Sequence, residues 1–245
     1  EAADLGYLEA DPNLDVGGID AGHKLSILAS IAFGSQVNFG SVELEGINQI
    51  SVEDIRQAAD MGFRIKLLGI AKMTSRGLEQ RMSPCLVPAE SPLGQLEGGT
   101  NMIILEGDQV GQIILRGQGA GESPTSSAVL ADIIDLAREI RPPIFGQPAK
   151  ELTLFPPAKS ESQTPFYLRL QLLDQPGALS KVAAILGKSD VSIDRMRQYG
   201  HDDETAPLVI LTHKTTRESV DSAVSALPET RVLKGNPVAL RIENV

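Results

Sequence analysis

The stretch EADPNLDVGGIDAGHK, Glu9 to Lys24, organises the first half of this 245-residue sequence. Gly17 and Gly18 are expected to end any regular structure that precedes them. Asp20 follows at a position where a helix N-cap or a first-turn carboxylate is favoured. Apolar residues then recur at helical spacing, which predicts a helix over 21–33 with a broad buried face. The residues before Asp20 are expected to form a turn-rich entry to that helix.

Asp20 and Lys24 are spaced i and i+4, so they lie one turn apart on one side of the predicted helix. Such a pair is usually a solvated surface contact worth a few tenths of a kcal/mol. Three further carboxylates, Glu9, Asp11 and Asp15, come shortly before Lys24, and an apolar stretch follows it. A lysine among carboxylates at a helix start is also the arrangement of a proton relay beside an ammonium-binding cluster. The residues alone leave both interpretations open.

The longer segment LGYLEADPNLDVGGIDAGHKLSILASIAFG resembles the signature of the homoserine dehydrogenases. These enzymes interconvert aspartate 4-semialdehyde and homoserine with NAD(P)H. Their G-x-D-x-x-x-K core corresponds here to Gly18 through Lys24. The resemblance implies that Lys24 is the catalytic acid/base residue. It also implies that Glu9 and Asp20 bind the amino-acid substrate, with Asp15 as a further candidate.

Length, net charge and the numbers of cysteine and histidine residues exclude several classes of function. The length favours two domains, and a hydrophobic content of 42% is typical of a globular protein. The net charge of −10, without a dense Lys/Arg cluster, argues against nucleic acid or an anionic membrane surface as partner. Cys85 is the only cysteine, so no internal disulfide forms and a reducing cytoplasm is expected. The three histidines have no zinc-type spacing, so we expect no metal site.

The opening residues 1–8 are interpreted as the end of a helix already under way. A dinucleotide-binding domain would open with a strand, a Gly-rich turn and a helix, and none of these is present. Together with the resemblance, this leads us to expect that an N-terminal nucleotide-binding domain is missing. NADP or NAD would be bound mainly by that domain, and residues 1–245 alone would be inactive.

Residues up to 141 are expected to form an α+β catalytic and dimerisation domain, with flanking helices on an antiparallel or mixed sheet. Ser51 is a predicted N-cap, because Asp54 stands three residues later in a capping-box arrangement. Gly107-Asp108 is a two-residue hairpin signal. The predicted strands are 63–74, 80–87, 100–106 and 109–115, and a helix is predicted over 124–138.

The turn GQGAG at 117–121 is rich in glycine. Its third glycine is one residue short of the G-x-G-x-x-G frame, and no βαβ unit surrounds it, which argues against a dinucleotide fingerprint. Such a turn either exposes backbone N–H groups to an anion or is a plain tight turn before a helix. The resemblance implies that Gly6 and Gly121 contact the cofactor.

A proline-rich linker is expected over 142–164, and residues 165–245 follow the order βαββαβ of a ferredoxin-like unit. Strands are predicted over 166–173, 191–199, 207–213 and 232–242. The D-x-P-G-A-L turn, Asp174 to Leu179, resembles that of ACT domains, which bind amino acids at a dimer interface. This resemblance implies an effector site at Asp174, Gly177, Ala178 and Leu179. A ferredoxin-like domain without a ligand is the alternative.

Two functions therefore stay open. The first is a homoserine dehydrogenase of threonine, methionine and isoleucine biosynthesis, regulated by L-threonine and assembled as a homodimer or homotetramer. The second is a non-catalytic fragment that binds amino acids and dimerises.

Overall fold

The computed structural model describes residues 11–200 and 204–244, and its α+β class agrees with the sequence-based expectation. The α-helices are α1 (Pro12–Val16), α2 (Ile19–Phe33), α3 (Val52–Asp60), α4 (Glu122–Ala137), α5 (Ala178–Lys188) and α6 (Arg217–Ala226). The β-strands are β1 (Glu43–Leu44), β2 (Phe63–Thr74), β3 (Gly77–Pro88), β4 (Thr100–Gly107), β5 (Gly111–Gln118), β6 (Pro157–Ala158), β7 (Phe166–Leu173), β8 (Ile193–Gln198), β9 (Thr205–Thr212) and β10 (Val238–Ile242).

The chain divides into two compact units that are not consecutive along the sequence. The first contains the described residues up to Gly46, together with Gly69–Met82 and Gln95–Ala158. The second contains Ile47–Leu68, Ser83–Gly94 and the described residues from Lys159 onward. Both divisions at 68/69 and 82/83 fall inside strands, so β2 and β3 each contribute to both units. The functional division at 141 and 165 stays a prediction.

The second unit is built on a sheet with the order β10-β7-β9-β8, in which neighbouring strands are antiparallel. Alternate residues of β7 point to opposite faces. Phe166, Leu168 and Leu170 pack with Val182 of α5 and Val220 of α6 in one buried cluster. This is the predicted βαββαβ unit, and its helices cover one face of the sheet.

The other face of this sheet is covered by α3 from the first third of the chain. Ala58 of α3 is fully buried with Tyr167 of β7 and Val209 of β9. The later part of β3 also joins this unit, because Cys85 pairs in parallel with Arg241 of β10. The sheet of the second unit is thus completed by residues from early in the chain.

The start of α3 confirms the predicted capping box. Ser51 Oγ accepts a hydrogen bond from the Asp54 backbone N–H at 3.1 Å, and the Asp54 carboxylate accepts one from the Ser51 N–H at 2.8 Å. These reciprocal bonds satisfy two donors that a helix start otherwise leaves without partners.

In the first unit, β1 and β6 pair in parallel with the early part of β3, and β4 and β5 form a separate antiparallel hairpin. The two-residue turn predicted at Gly107-Asp108 is wrong. Gly107 pairs with Gly111, so residues 108–110 form a three-residue loop. Gly111 has φ +70°, the left-handed conformation that such loops use to return to the strand.

Three further predicted boundaries differ from the structure. The last strand begins at Val238, not at residue 232, because Gly235 at φ +79° and Pro237 bend the chain before it. Helix α2 begins at Ile19 with Gly18 as N-cap, so Asp20 is a first-turn residue. The turn-rich entry before α2 contains the short helix α1.

Candidate functional site

The side chains of Asp20 and Lys24 meet on α2 as the sequence spacing predicted. Lys24 Nζ donates to Asp20 Oδ2 at 2.6 Å. The N-cap residue Gly18 has φ +71°, so this helix begins without a side-chain cap. Asp20 is therefore one turn below Lys24, with its carboxylate bonded to the ammonium group.

This pair is open to solvent. The side chain of Lys24 is 62% exposed and that of Asp20 is 38% exposed. An exposed i,i+4 pair stabilises a fold by only about 0.3–0.5 kcal/mol. The pair therefore contributes little to the stability of this unit. An ammonium group that is both oriented and exposed can reach a bound ligand and exchange its proton with water.

The face of α2 on either side of the pair is held by close packing. Gly22 is buried, and a Cβ there would lie 2.8 Å from Leu44 Cδ2. The His23 ring stacks on Phe39 with 3.8 Å between centroids and 12° between planes. Sequence reasoning did not identify these contacts, although a glycine inside a helical pattern is a signal for close approach.

The residue after Lys24 is part of the core of this unit. Leu25 is buried, and a Cβ on Gly69 of β2 would lie 3.2 Å from Leu25 Cδ1 and 2.7 Å from Met82 Cε. Gly69 of β2 therefore packs against the residue that follows Lys24 on α2.

The junction between α1 and α2 is fixed by backbone contacts. Asp11 caps α1 by accepting from the Asn13 N–H at 3.0 Å, and the Asp15 carbonyl accepts from the Gly18 N–H at 3.0 Å. Asp15 thus lies on α1, immediately before α2. Glu9 and Gly6, the other residues implied by the family signature, lie outside the described residues.

The same junction lies against a third glycine. A Cβ on Gly46 would be 2.5 Å from the Val16 carbonyl oxygen and 2.9 Å from Gly17 Cα. Because these are backbone atoms, no rotation of a side chain could relieve the contact. The start of α2 is therefore positioned by close backbone packing and not by a side-chain cap.

Gly121 is the N-cap of α4, with φ +127°. An open groove beside it is lined by Gly121, Glu122, Thr125, Ser126, Val129 and Leu130. The carboxylate of Glu122 lies in the first turn, where it opposes an incoming phosphate and favours a neutral or hydroxyl-bearing group. The groove can thus form one wall of a ligand site.

The turn before α5 has the geometry of a type II turn. The Ala178 N–H donates to the Gln175 carbonyl at 3.2 Å, and Gly177 adopts φ +83° and ψ −2°. The Ala178 N–H is therefore engaged within the turn in this structure, and the effector site implied at Asp174, Gly177, Ala178 and Leu179 stays a prediction. The N-cap of α5 is Gly177, so Asp174 does not cap this helix, and the Asp174 N–H donates to the Glu204 backbone carbonyl at 3.0 Å.

A buried polar cluster in the second unit also escaped the sequence analysis. Asp54, with no exposed surface, accepts from Arg169 Nε at 2.5 Å and from the Tyr167 hydroxyl at 3.3 Å. Burial, and then the Asp54 charge, raise the pKa of Tyr167 well above its ordinary value. These partners are more than a hundred residues apart, so no local pattern connects them.

Comparison with known proteins assigns the family. The family model for homoserine dehydrogenase matches residues 1–134, which is more than half of the sequence. The chain belongs to the homoserine dehydrogenase family. A second family model, that of the ACT domain, matches residues 166–229, from the start of β7 to the turn after α6.

Named relatives agree with this assignment. The homoserine dehydrogenase of Neisseria gonorrhoeae is 40% identical over 100% of this chain and 58% of its own length. That of Pseudomonas aeruginosa is 37% identical with the same coverage. A crystal structure of a homoserine dehydrogenase from Thiobacillus denitrificans superposes with a TM-score of 0.86 at 39% identity, over 99% of this chain and 57% of that one. The chain thus spans a little over half the length of these relatives.

Among the residues that the structure describes, none of the helices has both the length and the apolar character that crossing a bilayer requires.

Proposed function

We propose that this chain is the substrate-binding and regulatory part of an NAD(P)-dependent homoserine dehydrogenase, which interconverts L-aspartate 4-semialdehyde and L-homoserine. The observation that carries the proposal is the exposed Asp20–Lys24 pair, within the family signature of a chain that belongs to this family. Family members are oxidoreductases, and the pair has the chemistry that a carbonyl reduction needs.

Lys24 acts as the general acid in the direction of reduction. Its ammonium group donates a proton to the oxygen that becomes the homoserine hydroxyl, and Asp20 orients it through the 2.6 Å contact. Solvent restores the proton, because the lysine side chain is largely exposed. In the reverse direction the same nitrogen accepts the hydroxyl proton. Glu9 and Asp20 bind the polar groups of the amino acid, and Asp15 contributes from α1.

The nicotinamide cofactor, NADP or NAD, supplies or accepts the hydride when bound. Within this chain Gly121 and the groove at the start of α4 form one wall of its site, and Gly6 forms another contact. The absence of a Cβ at Gly121 allows close approach of a flat ring, and Glu122 favours a hydroxyl-bearing part of the cofactor over a phosphate. The phosphates are bound by a nucleotide-binding domain outside this sequence.

The ACT domain binds an amino acid, and L-threonine is the effector we propose. Asp174 binds the ammonium group of the ligand, while the Gly177 and Leu179 backbone N–H groups bind its carboxylate. The Ala178 N–H is bonded to the Gln175 carbonyl within the turn, so Ala178 lines the site without donating to the ligand. The protein is a cytoplasmic homodimer or homotetramer.

The test follows the consumption of NADPH and NADH with L-aspartate 4-semialdehyde by the natural polypeptide that carries this sequence. We expect turnover by that polypeptide, inhibition by L-threonine, and no turnover by residues 1–245 alone. Binding of amino acids without any turnover would favour the alternative, a non-catalytic binding and dimerising protein. Turnover by residues 1–245 alone would show that the cofactor site lies entirely within this chain.

A further inference from the structure

Helix α3 is joined to the ACT sheet by charged contacts at both of its ends. At the first end, Asp54 accepts from Arg169 and Tyr167 of β7. At the last end, Asp60 accepts from Arg197 Nη1 of β8 at 2.6 Å. The Tyr199 hydroxyl also donates to Asp60 at 3.0 Å. We call the contacts of Asp54 and Asp60 with Arg169, Tyr167, Arg197 and Tyr199 the α3 seam.

The most constrained residue of the seam is Asp54. The Asp54 carboxylate is fully buried and has two tasks, because one oxygen caps α3 while the other binds Arg169 and Tyr167. A buried carboxylate cannot exchange its partners for water without a large penalty. The buried Asp54 contacts therefore hold β7 and α3 in a fixed relation to each other within the second unit.

Strand β7 leads from the seam to the effector turn. Tyr167, Arg169 and Gln171 alternate along the strand and face the side that α3 covers, and the strand ends at Leu173, next to Asp174. Gln171 is anchored there by a 2.7 Å bond from Nε2 to Thr205 Oγ1. A ligand that orders the turn at its end consequently acts on the strand that carries Arg169.

On the other side, α3 leads directly into β2, which belongs to both compact units. Phe63 and Ile65 pack into the core that α3 shares with the ACT sheet. From Gly69 onward the same strand lies in the first unit, where Gly69 is packed against Leu25. Leu25 is adjacent to Lys24 on α2.

We propose that α3 and β2 form the element through which an amino acid at the Asp174–Leu179 turn changes turnover at Lys24, with the α3 seam as its connection to the ACT sheet. The proposal rests on the function proposed above and adds how its regulation is transmitted. Ligand binding favours one position of β7, the seam transfers that position to α3, and β2 transfers it to the packing beneath Lys24. The two sites influence each other reciprocally, as any coupling between binding sites requires.

The test uses the natural polypeptide with L-threonine as probe, and compares Arg169→Gln with the matched control Arg217→Gln. Arg217 forms a similar 2.7 Å ion pair with Asp221, but on α6, which packs on the opposite face of the sheet. Because Arg169→Gln leaves the buried Asp54 without its cation, Arg197→Gln is a second variant. Its side chain is 54% exposed, so the fold tolerates the change.

For each variant, kcat and KM are measured with and without L-threonine, and threonine binding is measured by calorimetry. Allosteric couplings are commonly about 5- to 150-fold. We therefore expect the factor by which threonine changes turnover to be at least about fivefold smaller in both seam variants, while both still bind threonine. Basal turnover should stay within about twofold, and Arg217→Gln should respond like the wild type.

The outcomes separate the two proposals. If threonine inhibits both seam variants as strongly as the wild type, the seam does not transmit the effect and this inference is overturned, while the proposed function stands. A wild type that turns over without any response to threonine also overturns it. If the wild-type polypeptide has no turnover at all, the proposed function itself fails.

Discussion

Two carboxylate–cation pairs of nearly equal length lie in different parts of this molecule. The Asp20–Lys24 pair measures 2.6 Å and the Asp54–Arg169 pair 2.5 Å. The first is 38% and 62% exposed, whereas the second is 0% and 21% exposed for the carboxylate and the cation respectively. Distance therefore does not distinguish the pair that we propose takes part in the reaction from a structural pair. Solvent access does, because it decides whether a ligand can reach the charge and how much its loss costs.

The two helix starts explain the difference. Helix α3 uses its first-turn carboxylate as part of a capping box, so one oxygen of Asp54 is bound to the backbone of its own helix while the other binds Arg169. Helix α2 begins at a glycine in the left-handed conformation and is positioned by close backbone packing. Asp20 is thereby available to Lys24.

The largest expected effect is that of Lys24→Ala in the natural polypeptide. Loss of a general acid lowers kcat by about 10²- to 10⁴-fold, whereas loss of an exposed ion pair changes the unfolding free energy by less than about 1 kcal/mol. Lys24→Arg is the matched variant, because it keeps a cation beside Asp20 but cannot release a proton. Steady-state kinetics measure both. A kcat within about threefold of wild type for Lys24→Ala would make the lysine an ordinary surface residue.

The second prediction is that loss of the buried pair has a large effect on stability, whereas loss of the exposed pair has a small one. Asp54→Ala removes the capping box and the partner of Arg169, and should lower the unfolding free energy by about 3 kcal/mol. Asp20→Ala, which removes the exposed carboxylate, should lower it by less than about 1 kcal/mol. Urea unfolding of residues 1–245 compares the two. If both variants lose the same unfolding free energy, burial does not determine how much each carboxylate contributes to stability.

A third prediction concerns the packing that positions the exposed pair. Gly46→Ala places a Cβ against the backbone of Val16 and Gly17, so we expect a loss of about 2 kcal/mol and a displaced entry to α2. Gly117→Ala is the control, because a Cβ on that glycine meets nothing within 4 Å. It should change stability by less than about 1 kcal/mol, in the stabilising direction. If the two variants unfold at the same urea concentration, the close approach at Gly46 has no energetic role.

The smallest effect is a dependence on alkaline pH at the far end of the seam. Burial, together with the hydrogen bond to Asp60, raises the pKa of Tyr199 from 10.0 to about 12. The folded state therefore keeps this proton longer than the unfolded state, so its contribution is complete below pH 10 and is lost as the pH rises toward 12. Tyr199→Phe should flatten this part of the stability profile. An unchanged slope between these pH values would show that another group is responsible.

The features predictable from the sequence are those whose partners lie within a few residues. The capping box of α3, the bounds of β2 and β7, and the i,i+4 geometry of Asp20 and Lys24 all depend on local spacing. The hairpin turn was misplaced, because two glycines compete to reverse the chain and Gly111, not Gly107, adopts the left-handed conformation. The length of a hairpin loop depends on the pairing of the whole hairpin.

The sequence by itself determined the family, the order of the longer helices and strands, and the pair on α2 that carries the proposed chemistry. Only the tertiary structure decided that α3 covers the second face of the ACT sheet, that Asp54 meets Arg169, and that Gly69 lies under Leu25. Local patterns act between neighbours along the chain, where the backbone geometry sets the distance. Contacts between residues far apart along the chain depend on how strands are ordered and faces are covered, and no local spacing encodes that choice.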